Sequence, residues 1–466
     1  MEPEVILMIV LTFSVPAAVV LHQVVKGQFF TLLSFYSLIF LLENTGGAIK
    51  AITPVAFPWS EKIDTGLVAN TLVVALAAYV LFLCGYVIYR PHSPQAKKTA
   101  QKNSVEAFFT LTWNQRYRSL LYVAIVVSIC AGFVQQLQRI RAAGGIDEFI
   151  HTAYQYRFGN YAETEGESAL IGVAGVISNC AVGLIGILWL AWLKGKLRRP
   201  EKALLVVLFA VLLLRQWSTM FRATLFFTFA SMIAIYNSEK PLKLAHFAFT
   251  SGVAAVVLIV FNFIHLYLFY LTAEWDYQPL GETITLLATP HGHFQQLAQV
   301  LNTHNSSGEL LHGHGFLESV LFFVPRVVWT SKAAFSDYGT ILVQDWAGFP
   351  DAYQIAITNV GELVAHFGYV GLSGLVAYGL LYRLLDSFRW RGVEFRMGLF
   401  CLLLPRTFAD LGMGVSAVST SLFNLSVFIA LAMALRVFSR ANRQDTAQQA
   451  EKLRRMETSE LAVGPT

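Results

Sequence analysis

Charge is what this sequence has least of. Only 14% of its 466 residues are Asp, Glu, Lys or Arg, against roughly a quarter in an ordinary soluble domain. Hydrophobic residues make up 55%, and the mean hydropathy is +0.55. That balance excludes a soluble globular enzyme and makes lipid the main solvent of the chain. Cysteine is scarce too. Cys84, Cys130, Cys180 and Cys401 each sit inside an apolar run, and none has metal-ligand or redox spacing. The first residues carry no basic stretch followed by a small-residue cleavage site, so the opening run reads as a first span and not as a removed signal peptide. A GxxxxGK[ST] phosphate loop is missing as well, which argues against an ATP-driven pump. The net charge of +5 would suggest nucleic acid in a soluble protein. Here the basic residues fall in short loops between apolar runs, so they report topology and no nucleic-acid partner is expected.

What remains is a series of long apolar runs. About 20 such residues cross a hydrocarbon core of about 30 Å. Runs of that kind occupy 4–24, 28–46, 66–89, 119–138, 169–193, 247–270, 361–383, 397–412 and 418–437. Two shorter runs, 203–214 and 223–236, flank the polar stretch RQWSTMFR (215–222). The pattern predicts an all-α polytopic integral membrane protein with about eleven spans. Lys and Arg crowd the stretches 90–118, 194–202, 237–243 and 383–396 and the tail after Arg436. The positive-inside rule places these in the cytoplasm, with the N-terminus outside and the C-terminus inside. The organisation follows as N-terminal spans over 1–270, including a broken hairpin at 203–236, and one large outer loop with short helices over 271–360. C-terminal spans over 361–437 and a disordered cytoplasmic tail over 438–466 complete it.

Several polar residues stand where a lipid environment makes them costly. A charge at the bilayer centre costs about 2.5–3.5 kcal/mol on the gentlest scale. The short arms of the 203–236 hairpin predict that Arg215 and Arg222 lie below the outer surface, facing a cavity; the bland alternative is arginines that snorkel from helix ends. Arg326 and Lys332, in VPRVVWTSK, are the only basic residues between 271 and 360. An arginine fork and a lysine point charge suit a pyrophosphate, and pairing with neighbouring carboxylates is the alternative. Glu362 and His366, in NVGELVAHFGYVGLSG, are four apart and share a helix face. Glu362 reads either as a first-turn carboxylate that suits the helix dipole or as a base. Arg406 and Asp410 in LPRTFADLG are also four apart, as a packing ion pair or a functional one. Arg157 lies among tyrosines in YQYRFGN. The His-Gly-His pairs at His291/His293 and His312/His314 lack a zinc-site spacing, so no metal is expected.

Taken in order, these stretches resemble the bacterial oligosaccharide repeat-unit polymerases, the Wzy type of O-antigen and exopolysaccharide polymerase. The resemblance rests on the arginine of STMFRATLFF, on VPRVVWTSK, on GELVAHFG and on the arginine of LPRTFAD. In GELVAHFG, Val364 and His366 stand where an aromatic and Asn are more usual. The resemblance implies a GT-C-like glycosyltransferase in the bacterial inner membrane, with a large periplasmic loop. Its substrates would be undecaprenyl-pyrophosphate-linked oligosaccharides, with membrane lipid around them and a chain-length regulator as a partner, and no cofactor. It implies Arg222, Arg326, Lys332 and Arg406, with Arg157 and Arg215, as the pyrophosphate-binding set. Glu362, His366 and Arg326 would be catalytic, and Tyr338 and Asp345 would position sugar. An O-antigen-ligase-like glycosyltransferase and a lipid-linked oligosaccharide flippase or other transporter are the competing readings. Transport is disfavoured because the broken pair occurs once, without a counterpart in a second half.

Overall fold

The computed structural model describes residues 3–52, 64–89, 94–142, 144–145, 169–218, 222–240, 293–313, 315–321, 342–343, 345–348, 357–405, 407 and 414–462. Among these residues the fold is all-helical. Seven helical segments are long and apolar enough to cross a membrane: Pro3–Val25, Leu32–Ile49, Thr65–Ile88, Gln115–Gln138, Val173–Leu193, Asn359–Phe388 and Ala417–Arg440. Each matches an apolar run of the sequence. The protein is therefore a polytopic membrane protein. Of the other expected spans, 247–270 lies outside the described residues.

The first three helices, α1 (Pro3–Val25), α2 (Leu32–Ile52) and α3 (Thr65–Ile88), form an antiparallel layer. Asp64 starts α3 by accepting a bond from the Gly66 amide at 3.0 Å, which meets one of the unpaired N–H groups of a first turn. α4 (Pro94–Thr112) lies in a stretch that the sequence shows only as a basic loop. Val105, Phe108, Phe109 and Thr112 are its buried stripe, at the 3–4 residue spacing of an amphipathic helix. α5 (Gln115–Ala142) and α6 (Ala169–Leu193) pack side by side.

The hairpin arms are longer than their apolar runs. α7 is Arg199–Ser218 and α8 is Arg222–Glu239, about 30 Å and 27 Å of helix at 1.5 Å per residue. Charged and polar residues at both ends extend them, since helix continuation needs backbone bonds and not apolarity. Arg215 thus belongs to the last turn of α7.

The 271–360 stretch holds α9 (His293–Ser307) and the five-residue α10 (Phe316–Val320). α9 packs against α2, α3 and the next helix, α11 (Asn359–Phe367). A 3₁₀ segment, Gly368–Ser373, then leads into α12 (Gly374–Phe388). The span 359–388 is therefore broken at Gly368, whose φ of 62° suits a residue without a Cβ. After α13 (Val393–Gly398) comes a π-helical segment, Leu399–Leu403. Its loosened ladder is braced by Ser231, which donates to the Phe400 carbonyl. The last helix, α14, runs from Gly414 to Ala462. The sequence reading ends order near 437, yet the Ala-, Gln-, Glu- and Arg-rich continuation is made of good helix formers.

The core of the α2–α3–α12 layer is aromatic. Tyr36 stacks on Phe82 with centroids 3.9 Å apart, and Tyr382 meets both edge-on. Tyr79 donates to Ser37 at 2.6 Å. Two glycines let α3 and α12 touch backbone to backbone. A Cβ on Gly85 would strike the Val376 carbonyl, and one on Gly379 would strike the Phe82 carbonyl. Small residues at a close helix crossing are the usual device of membrane bundles.

The two ends of the bundle differ. At one end Arg118 pairs with Glu201 at 2.6 Å, and Arg396 and Lys194 both pair with Glu239. Arg436 faces Glu394 at 3.5 Å, and Asp386 accepts from Tyr86 and from the Leu32 amide. The opposite end holds Val5, Ala48, Ala51, Val68, Leu72 and Phe294 in a small apolar cluster, with α9 laid across it.

Candidate functional site

The polar residues at the second end gather on α11, α9 and the last turns of α2. Thr358 starts α11 by accepting from the Gly361 amide at 3.0 Å. Residues Asn359 to His366 are then all buried. Asn359, Glu362 and His366 recur at i, i+3 and i+7, so they form one polar stripe on a buried helix. Their exposures are 0%, 1% and 0%.

Each of the three is held differently. Oε2 of Glu362 accepts from the Val415 amide at 2.6 Å. The carboxylate thereby caps the start of α14, where the dipole favours an anion. The fit requires Gly414, which has φ 66° and whose absent Cβ would collide with that carboxylate. His366 packs edge-on against Phe316 of α10, with centroids 5.6 Å apart and planes at 73°. Neither the oxygen nor the nitrogen of the Asn359 side chain has a hydrogen-bond partner.

A second polar group lies between α2 and α9. Glu43 of α2 and His293 of α9 are both buried, and Nδ1 of His293 stands 2.8 Å from Oε2 of Glu43. The pair meets at contact distance without good hydrogen-bond alignment. One turn along α9, Gln296 is 2% exposed, and its side-chain oxygen and nitrogen also lack partners. The two helices are in register here: a Cβ on Gly361 would touch Val300 at 3.7 Å. Gln296, one turn before Val300, therefore lies level with the start of α11. An unmet buried amide group costs about 1–3 kcal/mol, so two such side chains are unusual in a native interior.

Of the residues singled out in the sequence, the structure brings Glu362 and His366 together on one face. Arg215 stands elsewhere: it is half-buried near the end of α7, against Gly132 of α5, where a Cβ would collide with its guanidinium. Asp345 is exposed, two residues before Ala347, whose carbonyl accepts from Gln299 of α9 at 3.0 Å. Arg222 begins α8, and its side chain lies outside the described residues. Arg157, Arg326, Lys332, Tyr338, Arg406 and Asp410 also lie outside them, as do His291 and His314. Among the described residues no three His, Cys, Asp or Glu side chains gather as a metal site.

Sequence reasoning missed Asn359, Gln296 and the Glu43–His293 pair. A signal for Glu43 was present, since a glutamate in LLENTGG at the end of an apolar run is costly without a partner. His293 was read only as half of a His-Gly-His pair. Gln296 carries no charge and so gives no such signal. At the opposite end, Glu239 is the titrating group with the clearest cause. Burial raises its pKa, but Arg396 and Lys194 outweigh that and hold it below the ordinary glutamate value. This end ties helices together through its ion pairs.

Compared with protein-family models, curated proteins and solved structures, the chain matches none.

Proposed function

We propose that this chain is a membrane glycosyltransferase that joins undecaprenyl-pyrophosphate-linked oligosaccharide repeat units. In this reading it has about eleven spans in a GT-C-like arrangement in the bacterial inner membrane. The end rich in ion pairs faces the cytoplasm, which puts the N-terminus and the 271–360 stretch in the periplasm and the C-terminus inside. The observation that carries the reading is the buried polar stripe of α11. It lies within NVGELVAHFG, in the first half of a broken span, with Glu362 and His366 on one face. Such a stripe costs stability in a membrane bundle and is kept for a task.

The chemistry asked of the chain is glycosyl transfer with lipid pyrophosphate as leaving group. An acceptor hydroxyl attacks the anomeric carbon, and the bond to the pyrophosphate oxygen breaks with its electron pair. Cations aimed at the leaving group stabilise its growing charge. Arg222, Arg326, Lys332 and Arg406 are assigned that work, with Arg157 and Arg215 in support. The bond from Val415 commits one oxygen of Glu362, which suits it to orient its neighbours. His366, one turn further on, is then the better proton acceptor on that face. Tyr338 and Asp345 remain candidates for sugar contact.

The test is the size of lipid-linked glycan in cells with the gene, without it, and with Arg326→Ala. Loss of the gene is expected to leave only single repeat units on the outer face. Long polymer that still forms but stays on its lipid carrier identifies a ligase instead. Single units held on the cytoplasmic face identify a flippase.

A further inference from the structure

We infer that the break after α11, with Phe367 and Val370 on one side and Phe316 and Leu317 of α10 on the other, is where the polyprenyl chain of the substrate docks from the bilayer. The inference rests on the glycosyltransferase reading and specifies how its lipid approaches His366.

The break sets exposed apolar residues directly against buried ones. α11 buries every residue from Asn359 to His366. The next residue, Phe367, is 40% exposed, and Val370 is 80% exposed. The 3₁₀ segment Gly368–Ser373 accounts for this, because residues three apart stack on one side of such a helix. Phe367, Val370 and Ser373 face outward, while Gly368, Gly371 and Leu372 are buried. Gly371 lets the segment fold back on α11, since a Cβ there would strike the Leu363 carbonyl. The Ala365 carbonyl accepts from the Leu311 amide at 3.0 Å, which ties the loop before α10 to the break. That loop leads to Phe316. The Phe316 ring meets His366 at 5.6 Å and Phe367 at 5.3 Å, edge-on in both cases. Leu317, its neighbour, is 63% exposed. Rings in contact thus lead from an exposed apolar surface to the candidate proton acceptor.

The side chains of Leu317, Phe367 and Val370 offer no hydrogen-bonding group, so this surface suits a hydrocarbon chain. It ends where polar surface begins. Tyr369 donates to Asn305 at 2.8 Å, and Asn305, Ser306, Ser307 and Glu309 are all exposed. A polyprenyl phosphate is divided in the same way, with an apolar chain behind a charged head. Val127 of α5 and Val206 of α7 are exposed apolar residues too. The break differs from them in touching the polar stripe of α11 through Phe316 and Phe367. Broken helices hold the substrate in many membrane transporters, and here the break lies one residue beyond His366.

The test is photo-crosslinking in the full-length protein. The photoreactive residue p-benzoylphenylalanine replaces Val370 in one variant and Val127 in a second, both exposed positions. Thermal unfolding checks that each variant folds, and Leu317 takes the place of Val370 if that variant unfolds early. Each protein is held in phosphatidylglycerol nanodiscs with tritiated undecaprenyl phosphate and irradiated. Binding of the same lipid to wild type is measured in parallel. The expected result is saturable binding to wild type and severalfold more labelling at Val370 than at Val127. Unlabelled undecaprenyl pyrophosphate should abolish the excess. Equal labelling at both positions, with saturable binding to wild type, overturns the inference: ordinary bilayer lipid covers the break, and the enzyme reading stands. An excess at Val370 that undecaprenyl pyrophosphate leaves untouched overturns it as well. If wild type shows no saturable binding, the enzyme reading falls and the docking site with it.

Discussion

The carboxylate of Glu362 and the backbone amide of Val415 meet at 2.6 Å across 53 residues of chain. One bond thereby fixes the first turn of α11 to the first turn of α14. The stripe that carries Asn359 and His366 is held in rotation by that bond, since α11 has only nine residues with which to resist turning.

Removing this tie should be visible in stability. Glu362→Ala leaves the buried Val415 amide unmet and is expected to cost about 1–3 kcal/mol. Glu362→Gln keeps an acceptor oxygen and should cost less. Thermal unfolding of the detergent-solubilised variants measures both, and a wild-type Tm for Glu362→Ala counts against the tie.

The contact between α3 and α12 makes a second prediction. Gly85→Ala and Gly379→Ala each push a methyl group into a facing carbonyl. Overpacking of this kind typically costs 1–3 kcal/mol, or about that order. Each alanine variant should unfold earlier than wild type. A Gly132→Ala variant is the comparison, because there the methyl group meets the movable Arg215 side chain and the loss should be smaller.

Glu239 predicts an acid limb. Its pKa is held below the ordinary value of 4.5 by Arg396 and Lys194 after burial has pushed it upward. A depressed folded-state pKa contributes stability that is present above the unfolded value and lost as pH falls through the folded one. Tm measured from pH 7 downward should therefore drop once pH passes below about 4.5. Glu239→Gln should flatten that drop and lower Tm at pH 7, since it leaves buried Arg396 without its charge partner. An unchanged acid limb in Glu239→Gln assigns the drop to other carboxylates.

The leaving-group assignment yields a functional prediction. A preorganised donor to developing charge is worth about 10²–10³-fold in rate, so Arg326→Ala should collapse the glycan ladder towards single units. Arg326→Lys keeps the charge and loses the fork, and should leave shorter chains than wild type. Equal ladders for Arg326→Ala and wild type remove Arg326 from the mechanism.

The spans were legible because lipid imposes a simple rule on composition, and runs such as 66–89 and 169–193 obey it with little polar interruption. The shared face of Glu362 and His366 was legible for a similar reason, since a four-residue spacing fixes it. The partner of Glu362 was not. A backbone amide 53 residues away leaves no trace in side-chain identity. Short helices were expected in 271–360, but the place of α9 was not read, because a 15-residue helix buried against protein need not be apolar throughout. Gln296 and Asn359 were invisible because an uncharged amide looks the same in sequence whether it is satisfied or not. α4 was hidden by its lysines, which drew attention to topology while its Val105–Phe108–Phe109 stripe went unread.

The glycine contact between α3 and α12 has one more consequence. Two helices whose backbones touch leave no crevice for a hydrocarbon chain. This seam is therefore a closed wall towards the bilayer, and a tethered polyprenyl tail has no doorway there. Any lipid-borne molecule that reaches the buried face of α11 must slide in from a different flank of the bundle.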